Sequence, residues 1–419
     1  MTRVDTVVIG AGHAGLAVSH LLSRAGRDHV VLDRGRIAER WRSERWGSLH
    51  LLTPRWMTRL PGWQYSGPDQ DGFMPRDELV QHLERYAELC PVELGAEVRE
   101  VSPHGDGYRV ATEGRSWQAR HVVIATGPTG RPHLPATIER LDPDIQLVTT
   151  SQYRNPQQFS PGGVLVVGAS ASGAQIADEL GRSGRRVVLA AGHHTRMPRR
   201  YRGMDVFWWL EQTGRMARTI DDVPQVGAAR REPSLQIAGR ATSDPRGTDV
   251  DLRSLQAAGV ELAGRLDGVD RHYVELRQDL PTTTCHADVR MHGFLDAVDR
   301  YVEANHLTAE MEPPVRPSPV SVHRTPNRMD LRAEGIGTVL LATGFRPHHP
   351  WLQVPVTDAA GAIRQVRGLT PAAGLYVVGQ RFQHRRDATF IDGARHDAHD
   401  VVSHLCRGCV TAANAMEAP

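Results

Sequence analysis

The sequence predicts an α/β chain with two parallel-sheet units, and three observations predict it. Two glycine-rich segments each follow an apolar strand and open a helical pattern. They are Gly10-Ala11-Gly12-His13-Ala14-Gly15 after Val7-Val8-Ile9, and Gly168-Ala169-Ser170-Ala171-Ser172-Gly173 after Val164-Leu165-Val166-Val167. Each helical pattern runs into a further apolar strand, and such continuous runs mark strands covered on both faces. At 419 residues the chain is long enough for two cores.

The first segment carries the more specific chemistry. Gly10 permits the tight turn, Gly12 lets the backbone approach a pyrophosphate, and Gly15 lets the helix pack close to the strand. The helix start adds free N–H groups and a positive dipole end. The next strand, His29-Val30-Val31-Leu32, ends at Asp33. That is close to the roughly 20-residue spacing of the acid that accepts bonds from ribose hydroxyls. Strand, turn, helix and acid together form a dinucleotide fingerprint.

The second segment has Ser170 in place of the middle glycine, and a serine Cβ still leaves room for phosphate. Its next strand, Arg186 to Ala191, has no acid at its end. Instead come Gly192-His193-His194-Thr195-Arg196, then Arg199, Arg200 and Arg202. An acid there would repel a 2′-phosphate, whereas guanidinium forks attract one. The segment therefore reads as an NADPH site with Arg196, Arg199 and Arg200 at the phosphate; the alternative is a solvated basic loop. Two dinucleotides in one chain imply electron transfer between them.

Composition narrows the remaining choices. The net charge of +2 gives no bulk electrostatic case for nucleic acid. All 50 basic residues are arginine. No lysine is present for a Schiff base or a Walker-type phosphate loop. Four cysteines suit a reducing cytosol. A strand starts by about Asp5, which leaves no room for a signal peptide, and no apolar run is long enough to span a membrane. A cytoplasmic protein is expected, with a homodimer as one possible assembly.

The strand order implies a discontinuous first unit, residues 1–156 and 333–419, with residues 157–332 inserted as the second. Both Ala125-Thr126-Gly127 and its near copy Ala342-Thr343-Gly344 end apolar strands, and both fall in the first unit on these boundaries. A third such strand, Gly374 to Gly379, precedes a last helix over 393–405. Another helix is expected over 77–89. A helix over 288–306 carries Met291, Phe294, Leu295, Val298, Tyr301 and Val302 on one stripe, read as core packing.

These turns and strands resemble the two-dinucleotide-domain flavoproteins, and more narrowly the flavin-containing monooxygenase group with its bacterial CzcO-like and plant YUCCA members. Supporting stretches are Arg40-Trp41-Arg42, Trp46 to Pro54, Ser151 to Pro156, and Arg199 to Asp205. The resemblance implies two Rossmann-like domains, the NADPH domain inserted in a discontinuous FAD domain. It implies FAD on Gly10, Gly12, Ala14, Gly15 and Asp33, flanked by Arg34, Arg40, Trp41 and Trp46. Val98 would meet adenine through its backbone, Ala125 and Gly127 would close over phosphates, and Gly379 and Asp392 would sit by the flavin ring. NADPH would lie on Gly168, Ser170, Ala171, Ser172 and Gly173.

The implied activity is NADPH-dependent oxygenation of a small organic substrate by O2 through a C4a-hydroperoxyflavin. No catalytic acid or base is required of the protein, and no metal ligand set is expected. Two departures favour an NAD(P)H oxidase or reductase as the alternative. Leu52 stands where many members have Asn, and the residues ahead of Tyr153 have drifted from the family fingerprint. Cys406 and Cys409 form a CxxC at an expected frayed C-terminus, without a second ligand pair for zinc. His396 and His399 read as a solvated or flavin-facing helix surface.

Overall fold

A computed structural model describes residues 1–237, 249–322 and 326–416, with side chains to residue 407. Its principal elements, in chain order, begin with β1 (Thr2–Ile9), α1 (His13–Arg24) and β2 (His29–Leu32). Next are α2 (Arg76–Ala87), β3 (Val92–Glu93), β4 (Glu100–His104), β5 (Gly107–Ala111) and β6 (Ser116–Ile124). Then come β7 (Gln146–Thr149), β8 (Gly163–Val167), α3 (Ala171–Arg182) and β9 (Val187–Ala190). The rest are α4 (Val206–Gln212), β10 (Glu261–Ala263), α5 (Leu280–Ala304), β11 (Ile336–Leu341), β12 (Leu375–Val377) and α6 (Ile391–Met416).

The first sheet runs β3-β2-β1-β6, all parallel. β6 is long enough to serve two neighbours. Its first half pairs antiparallel with β5, and its last three residues pair parallel with β12. The second sheet has the order β7-β11-β8-β9-β10 and is parallel throughout. Every residue of β2, β8 and β9 is buried, which is why these strands read as unbroken apolar runs rather than alternating ones.

Helices cover one face of the first sheet. Leu16, Val18 and Leu22 of α1 meet Leu79 and Leu83 of α2 and Ala398 and Val401 of α6 in one core. On the opposite face, Val7, Ile9, Leu32, Val122 and Ile124 pack with Val101 and Val354. The stripe on α5 is core, as its spacing predicted. Met291, Phe294, Leu295, Val298 and Val302 bury against Phe207 and Trp209 of α4, while Tyr301 packs at the edge. The helix starts at Leu280, eight residues before the periodic signal became clear.

The expected boundaries need one correction. β7 and β11 fall in the first unit on sequence order, but both hydrogen-bond within the second sheet. β11 lies between β7 and β8, so the second unit recruits chain from both sides of the expected insert.

Candidate functional site

The two glycine turns are near copies in three dimensions. Gly10 has φ +110° and Gly168 has φ +106°, a conformation that disfavours any side chain. A Cβ on Gly10 would lie 2.6 Å from the Ala125 carbonyl oxygen, and one on Gly168 would lie 2.6 Å from that of Ala342. A Cβ on Gly15 would run into the Gly10 carbonyl and stand 3.1 Å from Ala125 Cβ. Gly173 meets the Gly168 carbonyl and Ala342 in the same way. Thus each Ala-Thr-Gly strand end backs one glycine turn. This explains why the second copy belongs with the second sheet.

The middle position differs in residue but not in shape. Gly12 precedes α1 with φ −80° and ψ 177°, and Ser170 precedes α3 with φ −75° and ψ −177°. A Cβ at Gly12 would meet nothing within 4 Å. This open space, over the first N–H groups of a helix, suits a phosphate. Ser170 spends no side-chain bond on capping its helix.

Around the first turn, Asp33 is fixed by two backbone donors. Its Oδ2 accepts from Ala11 N–H at 2.7 Å and its Oδ1 from Gly35 N–H at 2.9 Å. Gly127 has φ +75°, and its carbonyl accepts from Gln380 Nε2 at 3.4 Å. A Cβ on Gly379 would stand 3.1 Å from Ala14 Cβ, so the turn after β12 closes onto α1. Gly10, Ala125, Gly127 and Gly379 therefore meet at the carboxyl ends of β1, β6 and β12, the crevice where parallel sheets bind ligands. The residues present fit the pyrophosphate and ribose of a dinucleotide.

The flanking residues divide. Arg34 is exposed, 3.7 Å from Glu44. Arg40 donates to the Thr129 and Gly130 carbonyls and contacts Glu44 at 3.4 Å. Trp41 is half-buried between two cores. Val98 is buried beneath the first sheet. Trp46 turns instead into the second core, where its ring faces Tyr153 at 6.4 Å. Asp392 is buried at the start of α6, but its carboxylate accepts from Arg59 at 2.5 and 2.9 Å and from Arg395 at 3.1 Å. Its side chain is therefore committed to arginines and not offered to a cofactor.

The second crevice overturns part of the arginine expectation. Arg196 is 1% exposed. Its Nε lies 2.5 Å from Asp251, its Nη1 2.6 Å from Asp288, and its Nη2 donates to the Ser318 carbonyl. Burial opposes its charge, but Asp251 and Asp288 outweigh that and hold the guanidinium above its ordinary range. Arg199 is equally buried. It pairs with Asp205, donates to the Leu52 carbonyl at 2.6 Å and lies 4.0 Å over the Phe73 ring. Neither fork is free for a phosphate. Arg200 sits in a short hairpin opposite Asp205.

Other cations stand where β9 ends. Arg265 Nε lies 3.3 Å from where a Gly192 Cβ would be. Arg290 Nη2 donates to the His194 carbonyl at 2.5 Å. The His193 imidazole is held below its ordinary range by burial first, then by Arg290 and Arg265. The sequence pattern had no means of finding these two arginines, because they reach Gly192 and His194 from the connection after β10 and from α5.

A separate surface cleft of about 480 Å³ is lined by Arg59, Leu60, Gly62, Trp63, Gln64 and Arg395. Gly62 approaches His20, eight residues along α1 from Gly12, which is about 12 Å of helix. The cleft is therefore distinct from the glycine-turn crevice.

The fold and its turns define the class: the α/β architecture shared by flavin monooxygenases and pyridine nucleotide oxidoreductases. A family model described as pyridine nucleotide-disulphide oxidoreductase matches residues 7–210. An uncharacterized CzcO-like oxidoreductase of Geobacillus kaustophilus (strain HTA426) is 30% identical over 411 residues, covering 96% of this chain and 99% of the relative. An indole-3-pyruvate monooxygenase of the YUCCA group from Oryza sativa subsp. japonica is 30% identical over 214 residues, 48% of this chain and 51% of that protein. The solved flavin-containing monooxygenase from Stenotrophomonas maltophilia aligns with TM-score 0.65 at 21% identity, covering 98% of this chain and 100% of that one. The chain belongs to the CzcO-like oxidoreductases, flavoproteins of the flavin-monooxygenase-like group. Among the described residues, no helix is long and apolar enough to cross a membrane.

Proposed function

We propose that the chain is an NADPH-dependent FAD monooxygenase acting on a small organic molecule. The observation that carries the reading is the duplicated turn. Gly10, Gly12, Ala14, Gly15 and Asp33 would hold FAD, and Gly168, Ser170, Ala171, Ser172 and Gly173 would hold the nicotinamide dinucleotide. When bound, the flavin supplies the hydride acceptor and the centre for oxygen activation. The protein contributes the two phosphate seats, the alignment of the two crevices and the exclusion of water. No side chain is assigned as a general acid or base.

The choice of NADPH rests on charge. β9 ends without a carboxylate, and Arg265 and Arg290 make its end positive. These replace Arg196 and Arg199 as the groups that would favour a 2′-phosphate.

A second reading, an NAD(P)H oxidase without oxygen transfer, is favoured by Leu52. Its backbone carbonyl is clamped by Arg199 and its side chain packs on the α4–α5 core. The two readings separate with labelled oxygen. FAD-loaded protein is given NADPH, 18O2 and candidate amines, thioethers or aromatic acids. Monooxygenation puts one labelled atom into product for each NADPH oxidised. Equimolar labelled peroxide with every candidate, and no labelled product, rejects the proposal in favour of the oxidase.

A further inference from the structure

One group of three metal-capable side chains converges among the described residues. The candidate ligand atoms of His384, Asp397 and Asp400 all lie within 4.8 Å of one another. His384 comes from the connection between β12 and α6. Asp397 and Asp400 are three residues apart on α6 and so share a face. The His384 Nδ1 to Asp400 Oδ2 distance is 2.9 Å. Two adjacent ligands bound at about 2.1 Å stand about 3 Å apart, so this pair already has a suitable spacing.

The independent sign is Asp397. It is 1% exposed, and neither of its carboxylate oxygens has a hydrogen-bond partner. A buried carboxylate without a donor is costly. Its neighbours make the position worse. Burial first, then Asp387 and Asp400, push its carboxyl up to about 8, with Arg385 pulling the other way. Arg385 gives no relief by contact, because its Nε and Nη2 are engaged by Asp387 at 3.1 and 3.2 Å. Among the described residues, no donor reaches either oxygen of Asp397.

We propose that His384, Asp397 and Asp400 form a divalent cation site, with one imidazole and two carboxylates holding a first-row ion such as Mn2+ and water completing its shell. Mixed nitrogen and oxygen donors suit such an ion, and two carboxylates balance its charge. The side chains of His384 and Asp400 are 17% and 42% exposed, so the ion has a way in from solvent while Asp397 closes the floor. The site ties the 380–390 connection to α6. That connection also contacts Gly127 through Gln380, so the ion would brace one wall of the first crevice without entering it.

The test uses the full FAD-loaded chain, stripped with EDTA and titrated with MnCl2 while free Mn2+ is read by electron paramagnetic resonance. One saturable equivalent is expected, with a rise in melting temperature. His384→Gln should weaken binding at least about tenfold, the range seen when a ligand shell is disturbed. Asp397→Asn removes a ligand and also the buried carboxyl group that has no hydrogen-bond partner. It should fold at least as well as the parent yet lose both the binding and the Mn2+-dependent rise, which separates loss of the site from misfolding. No saturable binding, or binding unchanged in both variants, overturns the proposal.

Discussion

Replacing Arg196 with alanine distinguishes a structural arginine from a phosphate ligand. In the structure its guanidinium joins Asp251 at 2.5 Å and Asp288 at 2.6 Å, from a side chain only 2% exposed. Asp251 also caps the helix Leu252–Ala257 by accepting from Ser254 N–H at 2.8 Å, so it cannot move away freely. Alanine would leave the buried Asp251 and the half-buried Asp288 facing a void. Breaking a buried pair by removing one partner costs about 3–5 kcal/mol, and the two pairs share one cation, so their losses do not simply add. The expected result is a loss of about 3–5 kcal/mol in urea unfolding of FAD-loaded protein, with KM for NADPH in the surviving fold within about threefold of the parent. Suppose instead that stability changed by less than about 0.5 kcal/mol, the usual range for surface substitutions, and KM for NADPH rose about tenfold with NADH unaffected. Arg196 would then be a phosphate ligand, and the burial argument would be refuted.

Three further outcomes follow from the same geometry. Arg265→Ala with Arg290→Ala should raise KM for NADPH about tenfold or more, roughly 1.4 kcal/mol of binding, and change KM for NADH little; equal effects on both would remove the charge argument. Gly15→Ala should purify with little FAD, whereas Gly173→Ala should keep its FAD and lose NADPH affinity, because each Cβ strikes its own turn; flavin absorbance per protein and steady-state kinetics read the two separately. His13 Nε2 is sealed without a partner, and burial lowers its pKa from 6.5 to about 4. The unfolded chain takes up that proton first, so stability is full above about pH 6.5 and falls as pH drops towards 4. The loss is at most about 3.4 kcal/mol at 1.36 kcal/mol per pH unit. His13→Gln should flatten this part of the pH–stability curve in thermal melts, and an unchanged slope would count against the assignment.

How far the sequence could be read depended on how local each determinant is. The turn at Gly10 was legible because positive φ, open space at Gly12 and close helix packing at Gly15 are all set by neighbours in the chain. β11 was misplaced because Thr338-Val339-Leu340-Leu341 is a buried strand wherever it pairs, and nothing in its own residues selects β8 as a partner over β6. Arg196 and Arg199 misled for a related reason. An arginine attracted to phosphate and one attracted to Asp251 or Asp205 look the same until distant residues are brought together. Arg265 and the His384 cluster were invisible on the same ground, since their partners come from separate elements. The α5 stripe succeeded because helix periodicity is a local property.

The proposed function requires two bound dinucleotides that exchange electrons. It is tested most directly by mixing FAD-loaded protein with NADPH or NADH without oxygen and recording flavin absorbance. Rapid bleaching by NADPH is expected, at least about tenfold faster than by NADH at equal, sub-saturating concentration. Protein that holds FAD but is not bleached by either nucleotide would contradict it.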